Sequence, residues 1–398
     1  MEMMIKRSIE EYPSFKIFIT SLHHQLYITA SVTKYEADAE RLAEEMYRRV
    51  ADHIAAFSGQ IILERCFGKM DFRTQLLANR SDLFRRLNIE TDTPVTYVEG
   101  ASCLGGRFSG IQIRVLKTTP TAQVRTMMSE GISKGRMWKT DGSTFFLLHD
   151  IRGEVAHSGE HRDRKTQSEM MFRQAEKILH AEGAAYQDVV RTWIYISDIL
   201  DWYDDFNVSR NKFFSEYGLL GNAEHRGEAE QKYFPASTGI GGRNSANLPA
   251  TMDVFAVHRS PESSVQIRPL YGRKQRSPYR YGSAFSRAMV VEDAESKMIF
   301  VSGTASIDEE GKSVFIGDAE AQIRHALQVV SALVAEENAT LHDLCETTLF
   351  FKRSEDVTLY HKVAEQLGIT NIPSVNVIAD VCRDELLFEL DAALLLAK

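Results

Sequence analysis

Apolar and polar positions repeat one pattern three times along the chain. In the middle third, Met171, Ala175, Ile178 and Leu179 recur at helix-face spacing and predict a helix over 168–182. The β-branched and aromatic run 188–196 predicts a strand, and 202–216 a second helix. The last third repeats this. Ile323, Ala326, Leu327, Val330 and Leu333 stripe a helix over 319–336, followed by a strand at 345–351 and a helix at 357–367. Strands at 143–149 and 298–302 precede the two first helices. The first third is fainter, with strands at 16–20, 25–30 and 60–65 and a long helix over 35–55. Each third closes on a short alternating strand, at 110–115, 252–257 and 387–392. Aligning Gln112, Asp253 and Glu389 gives spacings of 141 and 136 residues (253 − 112 and 389 − 253). Near-equal spacing points to three related units. We place them at 1–118, 136–260 and 278–398, with polar linkers at 117–135 and 259–278. Strands mixed with helix pairs predict an α+β fold.

Composition narrows the class. Of 398 residues, 43% are hydrophobic and 26% charged, which are globular values. The net charge of −8 argues against a nucleic-acid binder, though a local basic pocket for an anion stays open. Cys66, Cys103, Cys345 and Cys382 form no CxxC pair and no disulfide framework, and the first three read as core. The twelve histidines show no metal-ligand spacing, His149, His157 and His161 included, and His23–His24 reads as a surface pair. No stretch reaches 18 apolar residues, and the first fifteen residues lack the apolar segment of a secretory signal. The expectation is a reduced, cytoplasmic protein without membrane contact, metal or organic cofactor.

Several segments resemble one family. The middle unit carries Val190-Arg191-Thr192-Trp193-Ile194-Tyr195-Ile196-Ser197 and Phe234-Pro235-Ala236-Ser237-Thr238-Gly239-Ile240-Gly241. The last carries Phe285-Ser286-Arg287-Ala288, then Phe300-Val301-Ser302-Gly303-Thr304-Ala305-Ser306-Ile307, and closes with Arg383-Asp384-Glu385-Leu386-Leu387-Phe388-Glu389-Leu390-Asp391. In this order, over residues 140–398, they resemble the chorismatases. Each unit is similar to the small RidA/YjgF (chorismate-mutase-like) fold, whose members form homotrimers with sites between subunits. Three copies in one chain imply a pseudo-trimer, expected to be a monomer. The resemblance implies release of pyruvate from chorismate, with Glu389 as general acid. It also implies that Gly303 with Cys382 marks the 3-hydroxybenzoate branch, since family members forming a dihydroxy diene acid tend to carry Ala at both.

The residue types fit that chemistry. Protonating an enol-ether methylene needs a carboxylic acid held protonated near neutral pH. Glu389 alternates with Phe388 and Leu390, and Asp391 on the same face would raise its pKa by like charge. Two carboxylates on the wet face of a strand would look the same. A dianion needs cations, and the candidates are Arg191, Arg243, Arg287, Lys352, Arg353 and Arg383. Arg191, set in an apolar strand, is equally readable as a salt bridge to another unit. Lys352–Arg353 also read as a solvated strand tip. Gly241–Gly242 offers close backbone approach to a ligand, or an ordinary turn. Tyr279 and Tyr281 are candidates to hydrogen-bond a ligand hydroxyl or to cap the core, and Cys382, beside Arg383, is a candidate thiolate or a small packed residue. Two further readings use the same fold, an enamine/imine deaminase and a non-catalytic ligand binder. The deaminases place an arginine shortly before the closing strand. Asn371–Val375, Pro235–Ser237 and Pro94–Thr96 have none. Gln112 and Asp253 in place of Glu predict one competent site per chain, where the third unit meets a neighbour.

Overall fold

The computed structural model describes residues 4–119, 123–153, 163–219, 233–272 and 284–398. In chain order the first third holds β1 (Lys6–Glu11), β2 (Phe15–Leu22), β3 (Gln25–Val32), α1 (Ala39–Phe57), β4 (Gln60–Gly68), α2 (Arg73–Arg86), β5 (Thr96–Glu99), β6 (Ala101–Ser102) and β7 (Phe108–Leu116). The second holds β8 (Arg125–Ser129), β9 (Ile132–Thr140), β10 (Ser143–Arg152), α3 (Arg164–Ala181), β11 (Val189–Ile196), α4 (Ile199–Glu216), β12 (Ala236–Gly241) and β13 (Ala250–Arg259). The last holds β14 (Gln266–Leu270), β15 (Ala288–Glu292), β16 (Ser296–Ala305), α5 (Ala319–Val334), β17 (Leu344–Phe351), α6 (Asp356–Leu367), β18 (Ser374–Ile378) and β19 (Phe388–Ala397).

The three sheets share one strand order: β1-β2-β3-β7-β4-β5, β8-β9-β10-β13-β11-β12 and β14-β15-β16-β19-β17-β18. The chain is therefore α+β, built as three repeats of one topology. One apolar cluster lies between helices and sheet in each unit. A fourth gathers the opposite sheet faces of all three, including Phe67, Trp193 and Phe300. The repeats thus share a core along one axis, as halves of an obligate interface would. Short β6 joins the sheet of the third unit through Val377 and Ser102.

The expected linkers are partly sheet. β8 pairs with β9, and β14 with β15, so residues from 125 and from 266 belong to the second and third sheets. Both are outermost strands with sparse burial, which blunted their apolar signal. α2 also went unread, since its buried face includes Arg80, held by Glu64.

Register corrects the alignment of the closing strands. Each long strand has an irregularity at the same place, Ile61/Leu63, Val189/Arg191 and Leu344/Glu346. Two residues beyond it the pairs are Arg65↔Gln112, Trp193↔Asp253 and Thr348↔Asp391. Asp391, not Glu389, is the counterpart of Gln112 and Asp253. Glu389 corresponds to Gly110 and Thr251, through Phe67↔Gly110 and Tyr195↔Thr251. A shift of two keeps the same strand face, so alternation alone could not detect it.

Candidate active site

Glu389 sits where β19 pairs with Ala305 and Phe350. β16 is irregular between Val301 and Thr304, and Gly303 lies within that break. From the second unit, β12 crosses this point. The Ser237 amide donates to Ser302 Oγ at 2.8 Å, and Ser302 Oγ donates to the Ser286 carbonyl at 2.6 Å. A small cavity results between the units. The second unit contributes Tyr203, Arg210, Ser237 and Gly239, and the third Phe285, Arg287, Gly303, Ala305, Ile307, Cys382, Arg383 and Glu389. Glu389 is 4% exposed. Burial, helped by the Asp391 charge and opposed by Arg191, raises its pKa from the usual carboxylate range to about 8. A carboxylic acid protonated at neutral pH thus faces the cavity.

Asp391, on the same strand face, is also raised by burial and opposed by the guanidinium of Arg191. Arg191 Nη2 lies 3.3 Å from Asp391 Oδ2 and also donates to Thr238 Oγ1. Arg191 therefore bridges two units behind Glu389 and does not line the cavity, so of its two readings the salt bridge is the observed one. It belongs to a polar cluster on the shared axis. Arg65 holds Asp253 at 3.0 Å and Glu346 at 3.1 Å, Arg114 holds Glu346 twice at 2.8 Å, and all three guanidiniums surround the Trp193 ring.

Two buried arginines do line the cavity. Arg210 and Arg287 flank Phe285, with guanidinium carbons 5.9 and 5.7 Å from its ring centre. Arg210 donates to Asn207 Oδ1 at 2.6 Å and has no carboxylate partner among the described residues. Such burial without a counter-charge is costly unless an anion arrives. The sequence reading missed Arg210. It lies on α4 among Phe206, Phe213 and Phe214, and its signal was a cation on the apolar face of that helix.

The remaining candidates divide. Arg383 lines the cavity while its Nη1 holds the Gly311 carbonyl at 2.8 Å. Cys382 lines it too, and burial and the nearby Glu389 push its thiol up to about 12, which favours the packed, neutral thiol over the thiolate. The adjacent Arg383 is the weaker influence. Gly241 packs on protein instead of ligand, its amide donating to the Asp380 carbonyl at 2.8 Å, and Gly239 takes the cavity position. Lys352 is tied to Asp384 at 2.6 Å, Arg353 to Asp356 and Arg243 to Glu99, all away from the cavity. Tyr279, Tyr281, His157 and His161 lie outside the described residues. His149 is buried, 3.0 Å from the Ile62 carbonyl. Among the described residues no cluster suits a metal ion, and no helix is long and apolar enough to cross a membrane.

Neither of the two equivalent positions carries an acid. Between the first and second units, Thr251 replaces Glu389 and donates to Asp150 Oδ1 at 2.8 Å, while Arg152 holds the same carboxylate. Between the third and first, Gly110 replaces it, where a β-carbon would meet the Ala30 carbonyl and the Val375 side chain.

A sequence profile for endoribonuclease L-PSP matches residues 281–389. A 3-hydroxybenzoate synthase from Streptomyces hygroscopicus is 27% identical over 292 residues, 67% of this chain and 78% of that protein. A crystal structure of chorismatase superposes with a TM-score of 0.58 at 18% identity, over 84% of this chain and 93% of the other. A putative endoribonuclease from Thermotoga maritima is 23% identical over 32% of this chain and 95% of its own, with a TM-score of 0.27. The chain is built of three units of one topology, the last of which matches the endoribonuclease L-PSP family over residues 281–389. Its overall fold is similar to that of the chorismatase structure.

Proposed function

We propose that the chain converts chorismate to 3-hydroxybenzoate and pyruvate in the Glu389 cavity. The supporting observation is a carboxyl with a pKa of about 8 sharing a cavity with two buried guanidiniums. Chorismate carries two carboxylates and an enol ether. Arg210 and Arg287 take the carboxylates, as planar donors suited to bidentate pairing. Glu389 gives its proton to the enolpyruvyl methylene, and the ring C3–O bond breaks with its electron pair going to the departing pyruvate oxygen. Losing that proton leaves the glutamate in the form that accepts one back. The neighbouring C4 hydroxyl oxygen closes onto C3 as its proton returns to Glu389. Opening of that three-membered ring at C4, with loss of the C3 proton, leaves the oxygen at C3 of 3-hydroxybenzoate.

Stoichiometry separates the two product branches. Chorismate equals 3-hydroxybenzoate plus pyruvate with no water added, whereas the dihydroxy diene requires one water. A narrow cavity with a neutral Cys382 thiol at its edge favours the branch that needs none. Gly303 leaves the room in which the Glu389 carboxyl sits. With Thr251 and Gly110 in place of the glutamate at the two equivalent positions, the chain works as a monomer with one site. No metal or organic cofactor enters the chemistry.

The test is incubation of purified protein with chorismate, following pyruvate by a coupled assay and aromatics by chromatography. Equal pyruvate and 3-hydroxybenzoate support the proposal. Pyruvate with a non-aromatic diene overturns the product assignment alone. No pyruvate above the spontaneous background overturns the activity.

A further inference from the structure

A second cavity, of about 290 Å³, opens on the shared axis where the turns around His23, Asp141 and Ala294 meet. All three units line it, and it shares no lining residue with the Glu389 cavity. One wall is aromatic. Trp138 stacks on Phe145 at 5.4 Å and 7°, Phe255 continues the stack, and Phe300 lies 5.1 Å from Phe255. Beside it the lining includes the cation Arg114. Register makes Arg114, Phe255 and Ala393 equivalent, through Leu63↔Arg114, Arg191↔Phe255 and Glu346↔Ala393. The repeat therefore puts an arginine on one side of a layer that is apolar on the other two.

Arg114 spends Nε and Nη2 on Glu346, which leaves Nη1 without a hydrogen bond among the described residues. The Tyr27 and Phe300 rings stand 5.4 Å from its guanidinium carbon. Glu346 is shared with Arg65, so it does not fully offset Arg114. Acidic groups reach only the mouth. Asp293 is consumed by the Glu295 and Ser296 amides, and Asp141 and Glu295 are exposed there, where salt screens them.

We propose that this axial cavity binds a small aromatic carboxylate, its ring against Trp138 and Phe255 and its carboxylate on Nη1 of Arg114. The volume lies at the small end of ligand pockets, roughly 300–1,000 Å³, which suits one ring. The site stands independently of the chemistry assigned to Glu389.

Crystals soaked in 4-bromobenzoate give the position directly, through anomalous scattering of bromine. In solution, benzoate is titrated against tryptophan fluorescence, with benzylamine and toluene as controls. The expected result is a bromine peak in the axial cavity and quenching by benzoate that disappears in Trp138→Phe. Met298→Trp, which fills the cavity, should weaken benzoate binding more than 10-fold while turnover is unchanged. Bromine confined to the Glu389 cavity, or absent from both, overturns the site. Benzylamine binding as tightly as benzoate overturns the assigned chemistry.

Discussion

A β-carbon on Gly303 would lie 2.1 Å from Oε1 of Glu389 and 3.2 Å from the Thr238 methyl. The obstructed group is the far end of a side chain, so the fold can yield, but only by moving the proton donor. Gly303→Ala should leave stability within about 1 kcal/mol, as expected for a change met by side-chain movement. Pyruvate release should fall by at least about 10-fold, or about 1.4 kcal/mol of barrier, because a displaced acid loses alignment with the methylene. The surviving product should shift toward the diene. Steady-state kinetics with product chromatography checks both, and unchanged turnover would show that Glu389 needs no such placement.

Cys382 tests the same branch from the other side of the cavity. Its thiol is neutral, so it contributes shape and a weak donor, not a nucleophile. Cys382→Ala opens space for water near the reacting ring and should raise the ratio of dihydroxy diene to 3-hydroxybenzoate. Cys382→Ser, similar in size, should move the ratio less. Equal ratios across all three proteins would remove Cys382 from product control.

Much of this arrangement was legible in the sequence, and the failures share a cause. Alternation in Phe388–Asp391 placed two carboxylates on one face, which the structure buries, and β-branched runs located β11 and β17 within a residue or two. Periodicity reports which face a residue occupies, not which residue it faces. Hence the equivalence of Asp253 with Asp391 needed the pairing register, and Arg191 could be read as ligand or salt bridge. Arg210 escaped because a helix presents its cations mostly to water, and only packing revealed this one as buried. Cys382 could be read as thiolate or packed thiol because sequence shows Arg383 beside it but neither the burial nor Glu389.

Arg210 is buried without a carboxylate partner among the described residues, which supports the substrate-carboxylate role proposed for it. Arg210→Met should therefore raise KM for chorismate by about 10- to 100-fold, the loss of a charge-assisted contact of roughly 1.5–3 kcal/mol. Removing an uncompensated buried cation should also hold or raise the melting temperature. Arg210→Lys should recover only part of the affinity, since an ammonium cannot pair bidentately. A fall in stability with KM unchanged would make Arg210 structural.

The raised pKa of Glu389 has consequences in both rate and stability. The donating form persists up to about pH 8, so kcat/KM should hold below that value and fall about tenfold per pH unit above it. Asp391→Asn removes a like charge and leaves Arg191 uncompensated nearby, and both effects should move this limb to lower pH. For stability, the folded protein keeps a proton that the unfolded chain loses near pH 4.5. Folding therefore binds the extra proton between pH 4.5 and about 8, and stability drains away as pH rises through that window. Glu389→Gln cannot ionise. It should abolish pyruvate release, match the parent protein in stability near pH 4, and exceed it by a few kcal/mol at pH 8 and above. Denaturant unfolding of both proteins across this range measures the gap. Parallel stability curves would mean that Glu389 titrates as an ordinary carboxylate, and would remove it as the proton donor.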